Sequence, residues 1–115
     1  MTRLKDKTCV PCKGGIPPLT PDEAKLLQKQ TPDWELIENA TRIQRRFRFR
    51  NFLQAQDFAV TVGNLSEEAF HHPDITYGWG YCSVLFYSHK IKGLHENDFI
   101  MAAKVDDAYK TAKKD

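Results

Sequence analysis

The stretch RIQRRFRFRNFLQAQDFAVTVGNLSEEAF, residues 42–70, changes its hydrophobic period midway, and that change decides the fold. Up to Arg50, Ile43, Phe47 and Phe49 alternate with Gln44, Arg46, Arg48 and Arg50, the period-2 signature of a half-buried strand. Arg45 interrupts the apolar set. From Phe52 onward, Ala55, Ala59, Val62, Leu65 and Ala69 recur at helical spacing, and Phe58 widens the stripe. Gly63 lies inside this helix and costs it roughly 1 kcal/mol relative to Ala. The helix is expected to stop at His71-His72-Pro73, where proline forbids continuation.

On the N-terminal side, Thr20-Pro21-Asp22-Glu23 has the form of a capping box, with Thr20 at N-cap, Pro21 at N1 and Glu23 at N3. Ala24, Leu26 and Leu27 would form the apolar side of a short helix ending before Pro32. A strand is expected from Trp34 to about Glu38, and a turn at Asn39-Ala40-Thr41 would join it to the strand at 42–50 as a hairpin.

On the C-terminal side, Ile75-Thr76-Tyr77 begins a third strand and Gly78-Trp79-Gly80 a turn or bulge. Residues 81–88 form a fourth strand, with Cys82, Val84 and Phe86 on one face and Tyr81, Leu85 and Tyr87 on the other. Apolar groups on both faces point to a second layer or a subunit interface. A last helix starts near Glu96, with a stripe of Phe99, Ala102, Ala103, Val105, Tyr109 and Ala112, and Lys110, Lys113 and Lys114 suit its C-terminal dipole. The order helix, strand, strand, helix, strand, strand, helix implies an antiparallel sheet with helices on one face, an α+β domain.

A chain of 115 residues holds one domain. Residues 1–19, with Gly14-Gly15 and Pro17-Pro18, read as a poorly ordered arm, and residues 20–115 as the single domain. Apolar residues at 41% and charged residues at 28% are an ordinary globular balance, and a net charge of +2 gives no general attraction to nucleic acid. No apolar run is long enough to span a membrane, and no apolar stretch follows the N-terminus as in a secretory signal. Three cysteines without such a signal suggest free thiols in a reducing compartment, with cytoplasm as the expected location.

Four histidines fall between His71 and His95, most of them at element boundaries. If the third and fourth strands form a hairpin, His71-His72 and His89 come to the same sheet edge, one or two strand spacings (~5–10 Å) apart. Asp98, in the first turn of the last helix, can reach the same cleft. Imidazoles titrate near neutrality, so a pair held across a pocket can act as general acid and base, with Asp98 or Glu67 fixing tautomer and orientation. Three histidines and an aspartate are also a reasonable zinc or iron set. Ordinary boundary histidines are the bland alternative, and spacing by itself does not select a reaction.

The pattern Glu67-x-x-x-His71-His72-Pro73-Asp74, then Ser88-His89, then Gly93-Leu94-x-x-x-Asp98 closely resembles the pterin-4a-carbinolamine dehydratase family. Cys9-Val10-Pro11-Cys12 with Gly14-Gly15, Leu19-Thr20, Trp34 and Phe47-x-Phe49-x-x-Phe52 extend the resemblance over nearly the whole chain. It implies a four-stranded antiparallel sheet with three helices packed on one face, in a homodimer or homotetramer. The implied reaction removes water from a 4a-hydroxytetrahydropterin to give quinonoid dihydropterin, recycling the cofactor of an aromatic amino-acid hydroxylase. Pterin is then the substrate, and neither a metal nor another cofactor is implied. His71 and His89 would be acids reaching opposite pterin faces, and His72 would bind and act as base. Pro73 and the main chain around Ser88, His89 and Lys90 would complete substrate binding, while Glu67 and Asp98 support the histidines. The sequence departs from the family at His95, where Ser or Thr usually caps the last helix, at Lys90 and at Ile75.

Two other features compete for a role. Cys9-x-x-Cys12 lacks the partners for a four-cysteine zinc site, since only Cys82 remains, and lies in a Gly/Pro-rich arm unlike a thioredoxin motif. The arginines between Arg42 and Arg50 resemble a solvated sheet face or an acidic-partner surface more than a nucleic-acid platform. Animal relatives of the family also serve as dimerisation cofactors of a homeodomain transcription factor, so a partner-binding role is the alternative reading.

Overall fold

The computed structural model describes residues 3–10 and 16–112. In chain order the elements are α1 (Pro21–Gln28), β1 (Glu35–Ile37), β2 (Arg42–Arg48), α2 (Phe52–Ala69), β3 (Asp74–Gly78), β4 (Tyr81–Phe86) and α3 (Glu96–Ala112). Short 3-10 turns add Leu4–Asp6 and His89–Ile91. The expectations resting on Cys12, Gly14, Gly15, Lys113 and Lys114 lie outside the described residues.

The four strands form one antiparallel sheet in the order β1-β2-β4-β3, an α+β fold. Register follows the hydrophobic pattern: Ile43 opposes Phe86, Phe47 opposes Cys82, and Ile75 opposes Val84, all on the helix-covered face. The β1–β2 turn puts Glu38, Asn39 and Ala40 at positive φ, and Thr41 Oγ1 donates to the Glu38 carbonyl at 2.6 Å. β2 ends at Arg48 rather than Arg50, because Phe49 N–H turns to the Gly80 carbonyl (2.9 Å).

Arg45 occupies an inward position without breaking the strand. Its guanidinium donates to Asp106 Oδ1 of α3 (2.7 Å) and lies over the rings of Phe47 and Tyr109. Trp34 Nε1–H donates to the same carboxylate oxygen (2.8 Å), so half-buried Arg45 is one end of a polar staple between sheet and helix. Around it, Trp34, Phe47, Phe49, Phe58, Phe86 and Tyr109 make edge or tilted ring contacts. That is the geometry ring quadrupoles favour.

Both ends of α1 and α2 follow their local chemistry. The Thr20–Glu23 capping box is present in both directions (3.2 and 2.8 Å). Leu26, expected on the apolar side of α1, is instead 65% exposed; a two-turn helix buries only the stripe through Ala24, with Leu27 beside it. Asn51 caps α2 by accepting from Gln54 N–H (2.8 Å). α2 ends at Ala69, not at the histidines: Phe70 takes the left-handed conformation (φ 54°, ψ 42°). Phe70 N–H reaches the Glu67 carbonyl and His71 N–H the Ser66 carbonyl, a Schellman closure without the usual glycine.

Residues 3–10, expected as a loose arm, lie along α3. Leu4 is buried, Lys5 Nζ pairs with Asp107 (3.0 Å), Lys7 Nζ with Glu96 (2.8 Å), and Lys104 Nζ donates to the Lys5 carbonyl (2.8 Å). This cover explains why Ile100 and Met101 are buried beyond the stripe expected for α3. Among the described residues, no helix is long and apolar enough to cross a membrane.

Candidate active site

A cleft of about 340 Å³ opens where the end of α2, the segment after β4 and the N-terminal segment meet. Its lining is Cys9 and Val10, then Ala69 to His72, then Ser88 to Lys90. All three histidines singled out by the sequence therefore share one cavity. The left-handed turn at Phe70 brings two of them there: it ends α2 abruptly, leaves Phe70 80% exposed on the rim, and points His71 inward. A non-glycine residue in this conformation is strained by roughly 1 kcal/mol, which the double hydrogen bond of the helix end offsets.

His71 is the most constrained of the three. Its Nε2 lies 2.7 Å from Asp98 Oδ1, and its ring runs nearly parallel to that of Phe86 (11°). Asp98 has no exposed surface, and its other oxygen accepts from Ser88 Oγ–H and His95 N–H, both at 2.9 Å. A carboxylate removed from water is tolerable only when its lone pairs are occupied, and here three donors occupy them. Ser88 is thereby tied to the same group as His71, a link that sequence spacing could not disclose.

His72 is more open. Its Nε2 lies 2.8 Å from Glu67 Oε2, one turn back on α2, and both side chains are at least half exposed. Phe70 meets the His72 ring edge-on at 5.4 Å. His89 has no carboxylate partner among the described residues; its ring instead packs 4.0 Å from that of Tyr87, and the Arg42 guanidinium lies over Tyr87 at 4.1 Å. The loop carrying His89 and Lys90 closes through Ser88 N–H to the Gly93 carbonyl (2.8 Å), which fixes the main chain at the cleft. A side chain at Gly93 would collide with Pro18, its Cβ only 2.5 Å from Pro18 Cβ.

Pro73 does not line the cleft; it is half-buried and turns the chain from the histidines into β3. Lys90 lines it while staying exposed. No three His, Cys, Asp or Glu side chains converge as a metal would require, among the described residues. Cys9 and Val10 were absent from the expected site, because docking of residues 3–10 onto α3 leaves no mark in local periodicity. Burial pushes the Cys9 thiol up, and that of Cys82 up to about 11, so both are poor nucleophiles near neutrality.

His95, which stands where the family usually has Ser or Thr, caps the last helix itself. Its Nδ1 accepts from Asn97 N–H (3.0 Å) while its own N–H donates to Asp98 (2.9 Å), reproducing both halves of a capping box with an imidazole in place of a hydroxyl.

Comparison with known proteins adds to this geometry. The family model described as pterin 4 alpha carbinolamine dehydratase matches residues 17–108. A Methylococcus capsulatus protein, provisionally named as a pterin-4-alpha-carbinolamine dehydratase, is 62% identical over 104 residues, covering 90% of this chain and 91% of that protein. A similarly named protein of Cupriavidus pinatubonensis is 52% identical over 105 residues, 91% of this chain and 90% of its own. Among solved structures, a transcriptional coactivator/pterin dehydratase from Brucella melitensis superposes with TM-score 0.73 at 26% identity, covering 78% of this chain and 96% of that one. A pterin dehydratase-like protein described as a RuBisCO assembly factor in the alpha-carboxysome gives TM-score 0.58 at 26% identity, over 67% of this chain and 92% of its own.

Proposed function

The chain belongs to the pterin 4 alpha carbinolamine dehydratase family, and from that premise we propose that it removes water from a 4a-hydroxytetrahydropterin to give quinonoid dihydropterin. The observation that carries this reading is the convergence of His71, His72 and His89 on one cleft, with His71 held by a buried carboxylate. The reaction breaks the C4a–O bond, takes a proton from N5 and gives one to the departing hydroxyl. No electron is transferred, so the chemistry asks for acids and bases and calls for no cofactor.

His71 and His89 serve as the acids at opposite faces of the pterin, and His72 binds the ring and acts as base. With Nε2 of His71 donating to Asp98 and Nε2 of His72 to Glu67, the Nδ1 atoms are the ones left to exchange protons with substrate. Ser88, His89 and Lys90 hold the ring through their main chain, with Pro73 setting the entry of the double histidine. The product enters the recycling of the cofactor of an aromatic amino-acid hydroxylase in the cytoplasm, where a separate reductase must add two electrons to restore the tetrahydropterin. Two or four copies of the chain assemble through the outer face of the sheet, where Tyr81 and Leu85 of β4 are half-buried.

The purified protein is expected to speed decay of the 4a-carbinolamine generated by a hydroxylase, with the effect surviving a chelator. His72→Ala and His89→Ala should each lower turnover by on the order of 10²–10⁴-fold, the usual worth of one acid–base group. Parent-like rates in both variants would sink the site assignment; loss of activity on chelation would favour a metal. A second reading, a partner-binding role, has support in the Brucella neighbour, whose description joins coactivator and dehydratase. Capture of a specific host protein by the His72→Ala variant would support it.

A further inference from the structure

We infer that Cys9 and Val10 form a fixed wall of the substrate cleft and that Asn97 is the positioning residue that latches the N-terminal segment carrying them; this deepens the dehydratase reading and rests on it. The Asn97 side chain is 2% exposed, and both of its polar atoms go to one residue of the N-terminal segment. Oδ1 accepts from Val10 N–H at 3.0 Å, and Nδ2 donates to the Val10 carbonyl at 2.6 Å. The amide thus pairs with the Val10 backbone as a neighbouring strand would, a two-point geometry that holds position and rotation together. Cys9 Sγ–H adds a weaker bond to the Asn97 carbonyl (3.8 Å).

The latch has a functional address. Cys9 and Val10, on one side of it, line the same cleft as the histidines. On the other side, Asn97 directly precedes Asp98, the carboxylate that holds His71. The segment is also tied beside Asn97 by the Lys7–Glu96 pair, further along α3 by the Lys5–Asp107 pair, and by buried Leu4. Burial pushes the Cys9 thiol up, so Cys9 and Val10, with Ala69 and Phe70, add uncharged surface to a lining that also carries the polar histidines. A flat heteroaromatic ring needs such a partition: polar groups at the atoms that exchange protons, apolar surface against its face and substituent. Because the wall makes no bond to a reacting atom, its contribution falls on substrate and transition state alike, and so on KM rather than kcat.

The test uses Asn97→Ala, which unlatches the segment, and Val10→Gly, which keeps the backbone pairing and removes only the exposed apolar surface. Asn97→Ala should raise KM for the 4a-carbinolamine by about tenfold with kcat within about threefold of the parent and an unchanged pH profile. It should also speed tryptic cleavage after Lys5 or Lys7. Val10→Gly should raise KM by a few-fold with parent-like cleavage. Faster cleavage at parent KM would show that the segment is no part of the site, and a fall in kcat at parent KM would assign the effect to Asp98 and His71 instead; either overturns the inference. If Asn97→Ala fails to fold, Val10→Gly decides alone, and a parent-like KM there overturns it. A parent protein without turnover or affinity for a non-reacting dihydropterin would sink the dehydratase reading and this inference together, whereas an active parent with unaltered variants sinks the inference only.

Discussion

The two carboxylates that hold histidines differ in environment, and that difference predicts their weight. Asp98 is fully buried and accepts from His71, Ser88 and His95, whereas Glu67 is 73% exposed and pairs with His72 alone. Asp98→Asn keeps one acceptor oxygen but turns an amide N–H₂ toward a donor. Turnover should fall on the order of 10–100-fold, as when the outer partner of a functional histidine is lost. The same change should lower unfolding free energy by about 1–3 kcal/mol, because a buried donor is left unpaired. Glu67→Gln keeps an acceptor in water and should cost well under the Asp98 change. Steady-state kinetics and denaturant curves on the two variants check this, and an Asp98→Asn enzyme of parent activity would contradict it.

At the scale of elements, the N-terminus of α3 carries both stability and the site. Its cap is His95, and its N3 residue is Asp98, so the capping box and the support of His71 in the cleft share a side chain. His95→Ala should lose about 1 kcal/mol, the usual worth of an N-cap, while His95→Ser should recover most of it. Thermal melts of the two variants decide the matter; equal losses would mean that the imidazole acts by packing and not as an acceptor. The end of α2 shows the opposite bias. There a phenylalanine accepts the strained left-handed position that glycine would fill, and the outcome is an exposed ring at the cleft rim with His71 and His72 turned into it.

Across the whole molecule, the Trp34–Asp106–Arg45 staple joins the start of β1, the middle of β2 and α3. Burial pushes the Asp106 carboxyl above the usual carboxylate range, against the opposing pull of Trp34, Arg45 and the Arg45 charge, and Asp33 adds to the rise. A raised folded-state value means that the folded protein holds this proton more tightly than the unfolded chain. Stability from Asp106 is therefore full below the unfolded value near pH ~3.9 and is lost as pH rises through the folded value. Asp106→Asn removes that titration. The stability of the parent minus that of the variant should accordingly shrink between roughly pH 3.5 and pH 7. Chemical denaturation at the two pH values measures it, and a difference that grows with pH would overturn the assignment.

Local patterning was enough to read the elements, because hydrophobic period, the Thr20–Glu23 box and Pro73 act within a few residues. The strand at 42–48, the helix at 52–69 and the antiparallel order all follow from it. The meeting of His71, His72 and His89 was legible too, since hairpin pairing of β3 with β4 forces their ends together. What tertiary structure alone decided are contacts between residues far apart in the chain. Arg45 looked like a flaw in a strand until Asp106 of α3 stood opposite it. His95 stood out only as a departure from the usual Ser or Thr, and the acceptance of Asn97 N–H by its Nδ1 is what makes it a cap. The N-terminal segment looked loose because its order comes from Leu4, two lysines and the Asn97 latch, none of which has a period. Periodicity reports which face of an element is buried, whereas hydrogen-bond partners across the fold depend on where a distant element comes to rest.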